Sequence, residues 1–182
     1  EMMKILAMFS SPRGLASNSG FLLETILKEA EKKGHTVERL DLTKLDIRAC
    51  TGCRVCWTNE EKACILDDDY HIVADAIADA DYLFMATPLY YWWVSPALKL
   101  TLDRSYPPPF EKFAGKTMHM VITGEEPPEN QCFVGIRDGF TAMCKYIGTN
   151  FKYFYTVADP FDKPAQKNAE AIEKAKALGA SL

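Results

Sequence analysis

Lys4-Ile5-Leu6-Ala7-Met8-Phe9-Ser10-Ser11-Pro12-Arg13-Gly14-Leu15-Ala16-Ser17-Asn18-Ser19 is the stretch on which the fold turns. The short apolar run Lys4 to Phe9 predicts a buried strand, and the Ser/Pro/Gly segment after it a loop. From Ser19 to Lys33, Leu22, Leu23, Ile26, Leu27 and Ala30 recur at helical spacing, and Gly34 follows as a stop. Strand, loop and helix in that order form the opening of an α/β unit.

The rest of the chain repeats the pattern. Thr36 to Leu42 alternates and predicts a second, more exposed strand. Asp67-Asp68-Asp69 opens a helix whose acids suit its positive end, with Val73, Ala76, Ile77 and Ala80 as its apolar stripe. Tyr82 to Thr87 is apolar throughout, as a strand covered on both faces requires. Pro88 to Val94 reads as an aromatic loop. Ser95-Pro96 can start a helix reaching about Arg104, and Pro107-Pro108-Pro109 breaks the pattern. Thr117 to Ile122 predicts a fourth strand, Gly124 to Asn130 a loop, and Cys132 to Ile147 a helix. Phe151 to Val157 predicts a fifth strand, and Lys163 to Leu178 a final helix. Five strands alternating with five helices predict a parallel sheet with helices on both faces and right-handed crossovers. Chemistry then belongs at the carboxyl ends of the strands, above all after the first, third and fourth.

Composition narrows the class. With 182 residues, 48% of them apolar, the chain fits one domain, 1–182, with a sizeable core. A net charge of −4 lacks the basic surplus of nucleic-acid binders. No run approaches the roughly 18 apolar residues of a membrane span. Glu1-Met2-Met3-Lys4 lacks the charged and apolar regions of a secretion signal, so a cytoplasmic location is expected. Thiols stay reduced there, and a local group of them points to metal binding or catalysis rather than disulfides.

Three loops carry candidate ligand contacts. In Ser10 to Ser19 the helix N-terminus favours an anion, Ser11, Ser17, Asn18 and Ser19 add neutral donors, and Arg13 adds charge. Neither G-x-G-x-x-G nor G-x-x-x-x-G-K-[ST] is present. A polar loop with Ser or Asn as a plain helix cap explains the same residues. In Thr87-Pro88-Leu89-Tyr90-Tyr91-Trp92-Trp93-Val94 four consecutive aromatics offer flat stacking surfaces for a planar ligand, or packing against another subunit. In Thr123-Gly124-Glu125-Glu126, Gly124 permits close backbone approach.

The strand-to-loop S-P-R…S-N-S, the C-x-G-C-x-x-C-W segment, the following D-D, P-L-Y-Y-W-x-V-S and L-K-x-x-x-D-R (Leu98, Lys99, Asp103, Arg104) together resemble the NADPH-dependent FMN reductase family. The group includes multimeric flavodoxins and iron–sulfur flavoproteins. The resemblance covers about residues 3 to 125. It implies a three-layer flavodoxin-like α/β fold with strand order 2-1-3-4-5, and one FMN per subunit. Ser11, Arg13, Ser17, Asn18 and Ser19 would hold the phosphate, and Pro88, Leu89, Tyr90, Tyr91 and Trp92 would support the isoalloxazine, bordered by Thr123 and Gly124. Asp103 and Arg104 would form an ion pair on their helix. The family's loop begins Gly-Ser where this chain has Ser10-Ser11, which leaves either serine as the phosphate contact. The resemblance also implies a homodimer or homotetramer, NAD(P)H as co-substrate, and a quinone, flavin or protein as electron acceptor.

Cys50-x2-Cys53-x2-Cys56-x7-Cys64 has ligand spacing. Four thiolates can hold a [4Fe–4S] cluster, and the spacing resembles the compact motif of iron–sulfur flavoproteins rather than that of ferredoxins. Zinc, or thiols that only pack at a subunit contact, are the alternatives. Cys132 and Cys144 are expected in the core. His35 is expected at the surface, His71 at a helix start and His119 in a strand, with no catalytic triad. The functional readings are therefore an NAD(P)H-dependent FMN oxidoreductase, an electron relay with FMN and a cluster, or a cofactor-free binding module.

Overall fold

The computed structural model describes residues 1–61, 63–105 and 112–182. The expected break at Pro107 to Pro109 lies outside the described residues. Parallel strands β1 (Lys4–Phe9), β2 (Thr36–Asp41), β3 (Tyr82–Tyr90), β5 (Thr117–Gly124) and β6 (Asn150–Val157) form one sheet in the order β2-β1-β3-β5-β6. A two-residue piece, β4 (Trp93–Val94), pairs antiparallel with the end of β3. The order is the expected one with this piece added.

Alternation along the central strands builds two cores. Leu6, Met8, Leu83, Met85, Met120 and Ile122 face one side, under α3 (Tyr70–Asp79), α4 (Pro96–Arg104) and α5 (Gln131–Ile147). Ile5, Ala7, Phe9, Phe84, Ala86 and Val121 face the other, under α1 (Asn18–Lys32) and α6 (Ala169–Ala180). β1 and β3 are therefore apolar on both faces, while β2 and β6 at the edges are only part-buried. A short helix, α2 (Val55–Thr58), lies within the cysteine segment.

Three expectations change. The aromatic stretch from Pro88 is not a loop but a hairpin, because β3 runs on to Tyr90 and turns through Tyr91 and Trp92 into β4. The final helix starts later than Lys163: Ala165–Lys167 forms a separate 3-10 turn, and Asn168 caps α6 by accepting a bond from Ala171 N. His35 is buried rather than at the surface, and its Nδ1 accepts from Met3 N at 3.1 Å.

His119 is buried on β5, paired with the Tyr82 hydroxyl at 2.8 Å. Burial, then the charge of Lys152, pushes its pKa down to about 4. The unfolded chain takes up this proton near the ordinary 6.5 and the fold only near 4. Stability is thus complete above the first value and falls as pH drops through the window. Urea midpoints between pH 7 and 4 are expected to decline, with a smaller decline in His119→Gln.

Candidate functional site

The strand order reverses between β1 and β3, and the loops that leave β1, β3 and β5 there open onto one cavity of about 930 Å³. A volume of this size suits a ligand of cofactor dimensions. Arg13, Ser17 and Asn18 line its first wall, Pro88 to Trp92 the second, and Thr123 and Gly124 the third.

The first wall is built by the start of α1. Ser17 caps the helix, its Oγ accepting from Gly20 N at 3.0 Å and donating to Gly14 O at 2.7 Å. The first N–H groups of α1 are left without helical acceptors. The Asn18 side-chain carbonyl accepts from Ala165 N at 2.9 Å, which ties this helix start to the last segment of the chain. Gly20 lets the helix press on the loop: a Cβ there would lie 2.3 Å from Gly14 O and 2.7 Å from Leu15 Cα.

The serines of the loop divide. Ser10 belongs to the sheet. Its N–H and hydroxyl both donate to Ala86 O, at 3.1 and 3.0 Å, and its Oγ accepts from Ser95 Oγ at 2.6 Å. The N–H and the hydroxyl of Ser10 are thus both engaged within the sheet. Ser11 is also buried, with its Oγ accepting from Arg13 N at 3.3 Å. Ser19 Oγ is buried with no hydrogen-bond partner among the described residues. Neither Ser10, Ser11 nor Ser19 lines the cavity wall itself.

The second wall is the hairpin. Tyr91 and Trp92 occupy its two central positions with φ of 44° and 66°, values that such a turn requires and that side chains resist. Their rings meet edge to face at 5.5 Å, and Tyr91 is 93% exposed. Replacing Tyr91-Trp92 by Asn-Gly is expected to raise the unfolding free energy by about 1 kcal/mol, since this pair adopts the turn without the steric cost. The same variant should bind a planar ligand more weakly, and chemical denaturation with flavin-fluorescence titration would read both effects.

The third wall ends at Gly124, where a Cβ would meet the Tyr155 hydroxyl at 2.7 Å and Leu89 at 3.2 Å. The Tyr155 hydroxyl donates to Glu126 O, which holds the turn after β5. Glu125, Glu126, Asn130, Cys132, Ala158, Pro160 and Phe161 also line the cavity, although the sequence reading did not select them as ligand contacts. The rule that loops follow the strand ends could have found Pro160 and Phe161, because they leave β6 as the other loops leave β1, β3 and β5. Phe161 is 87% exposed at the mouth, on a turn whose N–H groups at 161, 162 and 163 are gathered by Asp159.

The donor set fits FMN. A buried hydroxyl without a partner stands at the N-terminus of α1, Arg13 offers charge, aromatic rings flank the opening, and Gly124 leaves room along the backbone.

A second site lies where the segment after β2 returns to α3. Cys50, Cys53, Cys56 and Cys64 line one cavity of about 30 Å³, together with Arg104. Burial raises the Cys56 thiol, and then Cys64, Cys53 and Cys50 raise it further by charge. The Val55 N–H and the Thr51 side chain lower that of Cys53. Among the described residues no three His, Cys, Asp or Glu side chains converge on the centre of a single metal ion. Four thiols around one small space fit in kind a cluster that takes one thiolate at each iron.

Arg104 does not pair on its own helix. Its guanidinium binds Asp68, at the start of α3, through Nη1 at 2.6 Å and Nη2 at 3.0 Å, and both side chains are buried. Asp103 instead pairs with Lys99 at 2.6 Å on the surface. Burial would raise the Asp68 carboxyl, but Arg104 and the N–H groups of Arg48 and Tyr70 outweigh it and hold the pKa at about 2. Burial likewise opposes the charge on Arg104, yet its pKa stands raised because Asp68 and then Cys64 lie against it. Cys132 and Cys144 are buried, as expected.

Comparison with known proteins is consistent with this geometry. The family model described as NADPH-dependent FMN reductase matches residues 3–127. An iron–sulfur flavoprotein of Archaeoglobus fulgidus is 36% identical over 103 residues, 57% of this chain and 49% of that protein. One of Methanocaldococcus jannaschii is 30% identical over 105 residues, 58% of this chain and 53% of that protein. The chain thus spans about half the length of these curated relatives. Among solved structures, an NAD(P)H:quinone oxidoreductase from Methanothermobacter marburgensis superposes with a TM-score of 0.73 at 19% identity, covering 100% of this chain and 96% of that one. An FMN-dependent NADH-azoreductase from Bacillus anthracis, solved in complex with FMN, gives 0.69 at 15% identity, covering 99% of each chain. These two likenesses speak for the shared flavodoxin-like fold. No helix among the described residues is long and apolar enough to cross a membrane.

Proposed function

Because the chain belongs to the NADPH-dependent FMN reductase family, we propose that it binds FMN in the 930 Å³ cavity and works as an oxidoreductase between reduced nicotinamide and a quinone, flavin or other acceptor. The observation that carries this reading is the single cavity at the carboxyl ends of β1, β3 and β5, lined by Arg13, Ser17 and Asn18 at the start of α1, by the aromatic hairpin and by Gly124. Bound FMN supplies the capacity to take two electrons from a nicotinamide and to release them singly or in pairs.

The chain's own groups bind and orient. Arg13 and the positive N-terminal end of α1 take the phosphate charge, with Ser17 and Asn18 holding the helix start in place. Tyr90, Tyr91 and Trp92 cover a ring face and limit water, and Gly124 allows the ring edge close to the backbone. No side chain is required as general acid or base. The exposed rings of Tyr91 and Phe161 are a surface that a second copy would cover in a homo-oligomer, which mass measurement in solution would test.

The test is direct. FMN added to the purified chain is expected to be bound and its fluorescence changed, and anaerobic NADPH or NADH should then bleach the absorbance near ~450 nm. A chain that binds no FMN sinks the reading. Binding without bleaching by either nucleotide leaves an electron relay.

The four thiols favour a second reading, in which a [4Fe–4S] cluster shares the chain with FMN. Its support is their convergence on one cavity and the likeness to proteins named iron–sulfur flavoproteins. Helix α4 starts beside Ser95, which bonds Ser10 at the foot of the first loop, and ends at Arg104 in the cysteine cavity. Its nine residues measure about 13 Å, a short path between the two sites. Anaerobic reconstitution should yield iron and acid-labile sulfide in equal amounts, about four of each per chain.

A further inference from the structure

Resting on the cluster reading above, we propose that Arg104 sets the reduction potential of the cysteine site, raising it by offering a buried Nε–H and a fixed positive charge to sulfur at the Cys64 corner.

The guanidinium is nearly fully enclosed, with a side-chain exposure of 1%. Nη1 donates to Asp68 Oδ2 at 2.6 Å and to Arg48 O at 2.9 Å, and Nη2 donates to Asp68 Oδ1 at 3.0 Å. Nε has no partner. A buried donor left unused is costly, so a residue that keeps one in the wall of a four-thiol cavity suits an acceptor placed there. The Tyr70 ring lies 5.0 Å from the guanidinium, and the Tyr70 hydroxyl is anchored by Ser105 Oγ at 2.9 Å. The group is thus fixed by a carboxylate, a backbone carbonyl and a ring, and has no freedom to turn away.

The direction of the effect follows from charge. Reduction adds one electron to the cluster and breaks no bond, so its negative charge increases by one. A cation and an N–H directed at sulfur stabilise the reduced form more than the oxidised form, which raises the potential. Asp68 weakens this without cancelling it, because Arg104 lines the cavity and Asp68 does not.

The experiment is an EPR-monitored redox titration of the anaerobically reconstituted chain, with iron and sulfide quantified for each variant. Arg104→Lys keeps a charge but loses the fork. The double variant Arg104→Gln with Asp68→Asn removes both charges without stranding either. Both midpoints should move to more negative values, the double variant by about a tenfold change in the reduced-to-oxidised ratio, ~59 mV for a one-electron couple. Wild-type midpoints in variants with full iron and sulfide would overturn the role of Arg104 and leave the cluster intact. A wild-type chain that assembles no cluster would overturn the underlying reading, and the proposal with it. A merely structural Arg104 would change the thermal midpoint and leave the potential where it was.

Discussion

Asp68→Ala is expected to lower the unfolding free energy by about 3–5 kcal/mol, the range for stranding one partner of a buried ion pair. The carboxylate and the guanidinium have side-chain exposures of 0% and 1%. The carboxylate also accepts from the N–H groups of Arg48 at 3.0 Å and Tyr70 at 3.1 Å, so truncation orphans a charge and two backbone donors together. The double variant Asp68→Leu with Arg104→Met should recover most of the loss, because it leaves no buried charge behind. Urea denaturation of the two singles and the double would close a thermodynamic cycle, and purely additive losses would contradict the pairing. A pH dependence accompanies it. The fold holds the Asp68 carboxyl at about 2, below its ordinary 3.8, so this stabilisation is complete above the higher value and disappears as pH falls through the lower. Asp68→Asn should flatten that acid limb.

Gly20→Ala is expected to weaken FMN binding roughly ten- to a hundredfold, from the 1–3 kcal/mol typical of forced overpacking. The sign is the informative part. In an ordinary helix interior, Gly to Ala stabilises by roughly 1 kcal/mol. Here the new Cβ would press on the carbonyl oxygen of Gly14 at 2.3 Å and on Leu15 Cα at 2.7 Å, atoms of the backbone that cannot swing aside. The loop carrying Arg13 would have to move off the helix start, and the proposed phosphate contacts would move with it. Flavin-fluorescence titration reads the affinity, and a thermal scan without FMN reads the packing. A tighter or unchanged FMN complex would show that the loop and α1 are not held at the spacing the ligand needs.

The layered architecture was legible because it rests on local patterns. Ile5, Ala7 and Phe9 alternate with Leu6 and Met8, and Leu22, Leu23, Ile26 and Leu27 fall on one side of a helix, so each segment declares its buried face without its neighbours. The polar loop after β1, the aromatic stretch and the cysteine spacing were visible as short-range composition in the same way. The hairpin was not, since Tyr91-Trp92 carries none of the Asn or Gly that marks such a turn, and positive φ values on two aromatics come only from the pairing of Leu89 with Val94 and Tyr90 with Trp93.

By itself, then, the sequence determined the alternation of strands and helices, the loops at the carboxyl ends and the four-thiol spacing, because hydrophobic period and residue type are local properties. Tertiary structure alone decided which polar groups are used up and which remain free. Ser10 is committed to Ala86, 76 residues away, and to Ser95, 85 residues away, while the Ser19 hydroxyl is left unpaired among the described residues. Asn18 is tied to Ala165 across 147 residues, and Arg104 to Asp68 across 36. A buried donor or charge must find an acceptor somewhere in the fold, and the position of that acceptor is set by packing rather than by neighbours in the chain.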